Sequence, residues 1–182
     1  METLTDTSGA IDSRMFRKAM TRVPTSVVVA AGMGEEGPVG MVVGTFSSVS
    51  VDPPLVGFFG DHRSATFPIL MECERITFSI LNQGDLDTAK SFSRPIDERF
   101  TGLDWRRTAT GGVELTSAIL TVETTPHSLT PAGDHVMYLG LVTSATPSYP
   151  AGRPLIFQAG RLTRLDAGQL LDHEAWQLGW VE

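Results

Sequence analysis

The sequence predicts a mainly β domain, an antiparallel sheet closed into a barrel, with a few short helices. Three observations carry this. About seven or eight β-branched or aliphatic runs follow one another at short spacing, only two or three amphipathic segments lie between them, and these do not alternate with the strands as β-α-β crossovers require. At 182 residues, with 41% hydrophobic and 19% charged, the chain is long enough to bury one core, and no repeat or linker divides it.

Residues 1–12 are small and polar and read as a frayed terminus. Asp12 or Ser13 is a suitable N-cap, and Phe16, Ala19, Met20 and Val23 recur at helical spacing until Pro24, which predicts a short helix lying on the core. Ser26 to Ala31 (SVVVAA) suits a buried strand. Gly32-Met33-Gly34-Glu35-Glu36-Gly37 then matches the letters of the glycine pattern for dinucleotides. That site needs a helix to follow, whereas Pro38 and the apolar run Val39 to Val43 predict a strand, and Glu35 and Glu36 would repel phosphate. The glycines therefore read as a hairpin loop.

From Gly40 to Leu55 the chain reads GMVVGTFSSVSVDPPL, an apolar strand that turns into small hydroxyl residues and is stopped by Pro53 and Pro54. Read alone, it is either a serine-rich strand end with its turn or a stiff platform. In the second case its backbone groups and the hydroxyls of Thr45, Ser47, Ser48 and Ser50 hold a flat polar ligand.

Leu55 to Phe59 is a further strand, and Asp61 to Thr66 leads into a helix with Phe67, Ile69, Leu70 and Cys73 on its apolar side. Ser64 and Thr66 sit near its start, where unpaired backbone donors favour an anion; capping alone also accounts for them. Ile76 to Leu81 is a strand, and Asp85 to Phe92 a helix broken by Pro95. Residues 93–112 are predicted as a long irregular, arginine-bearing loop, of the length that is more often functional than decorative. Ala118 to Thr125 alternates apolar and polar residues, Gly133-Asp134-His135 opens the run Val136 to Val142, and two short strands, Pro154 to Phe157 and Leu162 to Leu165, flank Gly160-Arg161. Residues 166–182, with Leu171, Ala175, Leu178 and two tryptophans, read as a C-terminal tail able to form a docking helix.

Charge and composition exclude several functions. A net charge of -7, from 14 Lys and Arg against 21 Asp and Glu, argues against nucleic acid as a partner. No apolar run reaches membrane-spanning length and no basic start precedes an apolar block, so the expectation is no membrane and, by default, a cytoplasmic location. The single cysteine, Cys73, excludes an internal disulfide and a multi-cysteine metal site, and the four histidines show no paired spacing with carboxylates, so no metal is signalled. Neither a G-x-S-x-G elbow nor a phosphate loop is present. Chemistry carried by a bound cofactor fits better, because the protein then supplies only position and hydrogen bonds. His135, between a Gly-Asp turn and an apolar strand, is either a ligand contact at the sheet edge or a turn histidine bonded to its own loop.

The order FRKAMTRVPTSVVVAA, GPVGMVVGTFSSVSVDPPLV, ITFSIL, ERFTGLDW, AILTVE, GDHVMYLGLV and PLIFQAGRL resembles the flavin reductase family over about residues 13–165. TFSSVSVDPP and GDH with its apolar strand are the most specific parts. The resemblance implies an antiparallel FMN-binding split β-barrel of Greek-key type, formed by residues 13–165. It further implies a homodimer with FMN, or FAD, at the subunit interface, NADH or NADPH as hydride donor, and a separate oxygenase that receives the reduced flavin.

Residue by residue, the resemblance sets Thr45, Phe46, Ser47, Ser48, Val49 and Ser50 against the flavin ring, and Ser64 and Thr66 on the FMN phosphate. Arg99 and Phe100 become a basic-aromatic pair near the ligand, and Pro24, Thr25 and Ser26 the entry to the first strand beside the flavin. Gly160 and Arg161 lie near the dinucleotide, and His135 contacts the nicotinamide as the one catalytic side chain. Four positions depart from the pattern: Ser26 replaces a usual glycine, Gly44 a small polar residue, Ser79 a frequent asparagine and Leu162 a residue often aromatic. The same pocket would also serve a non-catalytic flavin carrier or sensor, or a split-barrel enzyme using a deazaflavin or heme.

Overall fold

The structure, a computed structural model, describes residues 11–165; the predicted docking helix at the C-terminus lies outside the described residues. In chain order the elements are α1 (Ser13–Met20), β1 (Thr25–Ser26), β2 (Val28–Gly34), β3 (Gly37–Val43), β4 (Ser47–Ser50), β5 (Leu55–Asp61), α2 (Thr66–Met71), β6 (Ile76–Ile80) and α3 (Leu86–Ser91). A single 3-10 turn (Ile96–Glu98) follows, then β7 (Trp105–Arg107), β8 (Val113–Leu115), β9 (Leu120–Ala132), β10 (His135–Pro147), β11 (Leu155–Gln158) and β12 (Arg161–Arg164).

Seven strands form one antiparallel sheet in the order β3-β2-β6-β9-β10-β5-β4. It wraps around a core fed by six of its strands, with Val28, Val43, Phe58, Phe78, Val122 and Tyr138 all buried, and α2 closes it through Phe67 and Leu70. Its end strands, β3 and β4, are not hydrogen-bonded to each other among the described residues, so the barrel is split. The sequence run VVVAA is buried on both faces: Val28 and Ala30 point into this core, while Val27, Val29 and Ala31 point into a second one with Phe92, Phe100, Val113 and Leu155. Of the buried polar side chains, Thr77 Oγ1 has no partner among the described residues, whereas Thr124 is paired. Thr124 Oγ1 donates to the Ile76 carbonyl at 2.9 Å, and the Tyr138 hydroxyl lies 2.9 Å from the same Oγ1.

The glycine-rich segment is the hairpin turn expected of it, with Gly34 opposite Gly37 across the β2–β3 pair. Two expectations change. Helix α1 forms, and the Asp12 carboxylate accepts from the Arg14 and Met15 N–H groups at 3.4 Å, but it does not lie on this chain's core, since Phe16 is 50% and Met20 47% exposed. Residues 93–112 are not wholly irregular. They hold the 3-10 turn and the first strand of the β7–β8 hairpin, which docks across the sheet where the Leu115 N–H donates to Ser79 Oγ at 3.1 Å. The asparagine usual at position 79 is thus replaced by an anchor for β8.

The strands predicted at 118–125 and 136–142 extend into a 13-residue pair, β9 and β10. Pro126 lies opposite Gly140 next to a register shift, one of the few places where a sheet accepts proline.

Candidate functional site

The site is built at the end of β5, where the chain turns into α2. The Asp61 carboxylate accepts from the Arg63 backbone at 2.8 Å and from its guanidinium Nη2 at 2.7 Å, bonds that hold Asp61 well below the usual carboxylate range. The turn so fixed presents Ser64, whose Oγ accepts the Phe67 N–H at 3.1 Å and caps α2. Thr66, 3% exposed, follows two residues later. Arg99, just after the 3-10 turn, donates from Nη1 to Thr66 Oγ1 at 2.7 Å and to the Gly40 carbonyl at 2.9 Å, and from Nε to the Arg94 carbonyl at 3.0 Å. Its partial burial lowers the guanidinium pKa, yet arginine stays charged in proteins at any ordinary pH. A poorly hydrated cation held by three bonds is pre-set for an anion.

Ser64, Thr66 and Arg99 line one cleft of 350 Å³, with Val42, Phe157 and Leu162 as apolar wall. A larger cleft, lined in part by the 3-10 turn, carries Glu35, Glu36, Glu72 and Asp97, the wrong sign for a phosphate. Charge therefore assigns an anionic ligand to the smaller one. The donors present fit a flavin phosphate, and the wall fits the apolar part of its ring.

Of the other residues singled out in the sequence, 24–26 lie next to the cleft, whereas 45–50, His135, Gly160 and Arg161 are not among the residues that line it. Strand β1 pairs with β11, Thr25 opposite Phe157 and Ser26 opposite Ile156, which sets residues 24–26 beside the cleft wall. Thr25 Oγ1 lies 2.9 Å from where a Cβ on Gly44 would stand. The polar side chain missing at Gly44 is thus matched by a hydroxyl from the neighbouring segment. Gly44→Ala forces Thr25 to move, and we expect a roughly threefold to tenfold rise in the flavin KM at unchanged fold, checked by steady-state kinetics and circular dichroism.

In the serine-rich stretch, Thr45 Oγ1 accepts the Phe59 N–H at 3.0 Å, and the Phe46 ring turns inward to 4.8 Å from Phe78. Ser47 Oγ donates to the Ser48 carbonyl at 3.1 Å. Strand β4 is an edge, with a register shift between Ser48 and Ser50, so one side of its backbone faces outward at Val49, which is 52% exposed. Gly160 belongs to the two-residue β11–β12 turn, where Ala159 and Gly160 have φ of 51° and 76°. Arg161 follows it on the exposed side, and Leu162 reaches the cleft.

His135 starts β10 with Asp61 and Ala132 as cross-strand partners. Its Nδ1 is 2.7 Å from Asp134 Oδ1, a contact that holds the Asp134 carboxyl below its ordinary pKa. The histidine is bonded to its own loop, and that bond leaves Nε2 without a partner among the described residues. Phe100 stands apart from the cleft: its ring is 6% exposed and packs 5.3 Å from Phe92 and 6.1 Å from Trp105. Of the basic-aromatic pair only Arg99 lines the cleft. Sequence reasoning missed Phe157 as a wall and the Asp61–Arg63 pair, and it offered a loop bond for His135 without naming Asp134 as its partner. Both pairs had a signal, an aspartate one or two residues before its partner at a strand end.

The flavin reductase like domain family matches residues 20–166. An actinorhodin polyketide dimerase of Streptomyces coelicolor is 37% identical over 136 residues, 74% of this chain and 77% of its own. A flavin reductase of Pseudomonas putida is 32% identical over 134 residues, 73% of this chain and 79% of its own. The solved structure of an NADH:FAD oxidoreductase of Streptomyces globisporus, in complex with NAD and FAD fragments, superimposes with a TM-score of 0.82 at 28% identity, over 92% of this chain and 99% of that one. The family match runs from the end of α1 through the last described strand and takes in every element that builds the cleft, and the chain belongs to the flavin reductase family.

Proposed function

We propose that this chain is an NAD(P)H:flavin oxidoreductase that holds FMN, or the larger FAD, in the 350 Å³ cleft and accepts a hydride from NADH or NADPH. The observation that carries the reading is Arg99, fixed on Thr66 and Gly40 and facing a cleft with hydroxyls and an apolar wall. A bound flavin supplies the two-electron acceptor. Arg99, Thr66 and Ser64 hold its phosphate, while the outward backbone of residues 45–50 meets the polar edge of the ring. Residues 24–26 and the Gly160-Arg161 turn border the ligand from the β11 side. Phe100 acts from the core, by fixing the segment that carries Arg99.

His135 presents Nε2 to the nicotinamide amide, its tautomer set by Asp134 at Nδ1. No covalent nucleophile is needed. The protein contributes position, and a correctly stacked donor and acceptor supply most of the rate.

We further infer a homodimer, an oxygenase that takes the reduced flavin, and a cytoplasmic site of action. The exposed apolar residues Phe16 and Met20 of α1, the edge position of β4 in the sheet, and Val51 at 88% exposure support burial of these surfaces against a second copy. Residues 13–165 form the catalytic unit, and 166–182 a docking segment.

The test is NADH oxidation by the purified protein with FMN supplied. Turnover supports the reading, and flavin binding without turnover replaces it with a carrier. His135→Ala is expected to raise the NADH KM about tenfold, the loss of one hydrogen bond, while the flavin dissociation constant stays within twofold.

A further inference from the structure

The hairpin turn between β2 and β3 takes no part in flavin binding, yet it forms the lip of the larger cleft, whose volume is 880 Å³. That lies within the roughly 300–1,000 Å³ of small-molecule sites. Its apolar lining comes from Val39, Ile69, Phe100 and Trp105. Around this lining stand Glu35, Glu36, Glu72 and Asp97, all exposed, and no Lys, Arg or His is among the described residues that line it.

We propose that this cleft is a second ligand site, for an organic cation: an aromatic or polycyclic amine that binds alongside the flavin. An apolar ring system fits the lining, and an ammonium group meets four carboxylates with no competing cation, within reach of the Trp105 face. Anionic ligands, flavin and nicotinamide dinucleotides among them, are repelled by the same charges. Separate residues serve the two clefts: Ile96, Asp97 and Phe100 face the larger and Arg99 the smaller, as do Ile69 and Thr66 on α2.

The full chain, saturated with FMN, is titrated by calorimetry with three probes of one size: 1-naphthylmethylamine, 1-naphthylmethanol and 1-naphthoate. The amine is expected to bind at least about tenfold more tightly than the alcohol, and the carboxylate more weakly than either. The double variant Glu36→Gln with Asp97→Asn should weaken amine binding about tenfold. Asp52→Asn with Asp87→Asn makes the same charge change at exposed positions that do not line the cleft, and should stay within twofold, which separates the site from general attraction to a chain of net charge -7. Equal affinity for amine and alcohol, equal losses in the two double variants, or displacement of the amine by FMN would overturn the proposal.

Discussion

Arg99→Ala is expected to raise the dissociation constant for FMN by roughly 10- to 100-fold and to leave that for riboflavin, which lacks the phosphate, within about threefold. One charge-assisted hydrogen bond contributes about 1.5–3 kcal/mol, which is the range stated for FMN. The comparison with riboflavin is needed because Arg99 also ties the segment after the 3-10 turn to Thr66 on α2 and Gly40 on β3. If its main role were to hold those elements together, both flavins would lose affinity alike. Arg99→Lys keeps the charge but cannot donate to two acceptors in the same fork, and should recover only part of the difference. Equilibrium titration of flavin fluorescence reads both ligands directly, and equal losses for FMN and riboflavin would remove Arg99 from the phosphate site.

How legible the molecule was depended on whether a residue's environment was local. SVVVAA could be read as a buried strand because its whole composition is apolar, and the absence of alternation itself signals burial on both faces. The β2–β3 hairpin was legible because proline and a second apolar run exclude a helix after the glycines. Ser64 and Thr66 could be placed because a helix start is a short-range feature.

What could not be read is set by distant partners. Strand β8 is three residues long and exists because Leu115 finds Ser79 on a strand 36 positions earlier. The second halves of β9 and β10 carry Thr, Ser and Pro, which look like loop, and each is held as a strand by pairing with the first half of the other. Phe100 looked like Arg99's companion at the ligand, yet neighbours in sequence face opposite ways, and its ring belongs to Phe92 and Trp105. Helix α1 was amphipathic by sequence as expected, but periodicity does not say whether its apolar side is covered by its own chain or by another.

The buried carboxylate of Glu123 leads to the largest stability effect. Glu123 is 3% exposed near the start of β9; its Oε2 and Oε1 accept the hydroxyls of Thr108 and Thr110, and Arg75 Nη1 lies 3.5 Å from Oε1. The loop that reaches it closes on Gly112, where any Cβ would collide with Thr77 Oγ1 and Glu123 Oε2. That loop is the turn of the β7–β8 hairpin, so one carboxylate anchors the segment that follows Arg99 and Phe100. Glu123→Ala removes the acceptor of the half-buried Thr108 hydroxyl, of the exposed Thr110 hydroxyl and of a partly buried guanidinium. Losing a buried charged acceptor whose partners stay partly hydrated destabilises by about 2–4 kcal/mol, and we expect that loss, or a fall in Tm of roughly 4–16 °C for a domain of this size.

Glu123→Gln keeps the shape and one acceptor and should lose less, about 1–2 kcal/mol. Arg75→Ala should lose about as much as Glu123→Gln, because it leaves the buried carboxylate without its cation while both threonine hydroxyls still donate to it. Thermal unfolding at fixed protein and flavin concentration gives all three values, since bound ligand or a second subunit would otherwise shift Tm by mass action. A loss under about 1 kcal/mol for Glu123→Ala would mean that the hairpin is held by Val113 and Leu115 alone. In that case the polar contacts around Glu123 would be incidental to the packing beside them.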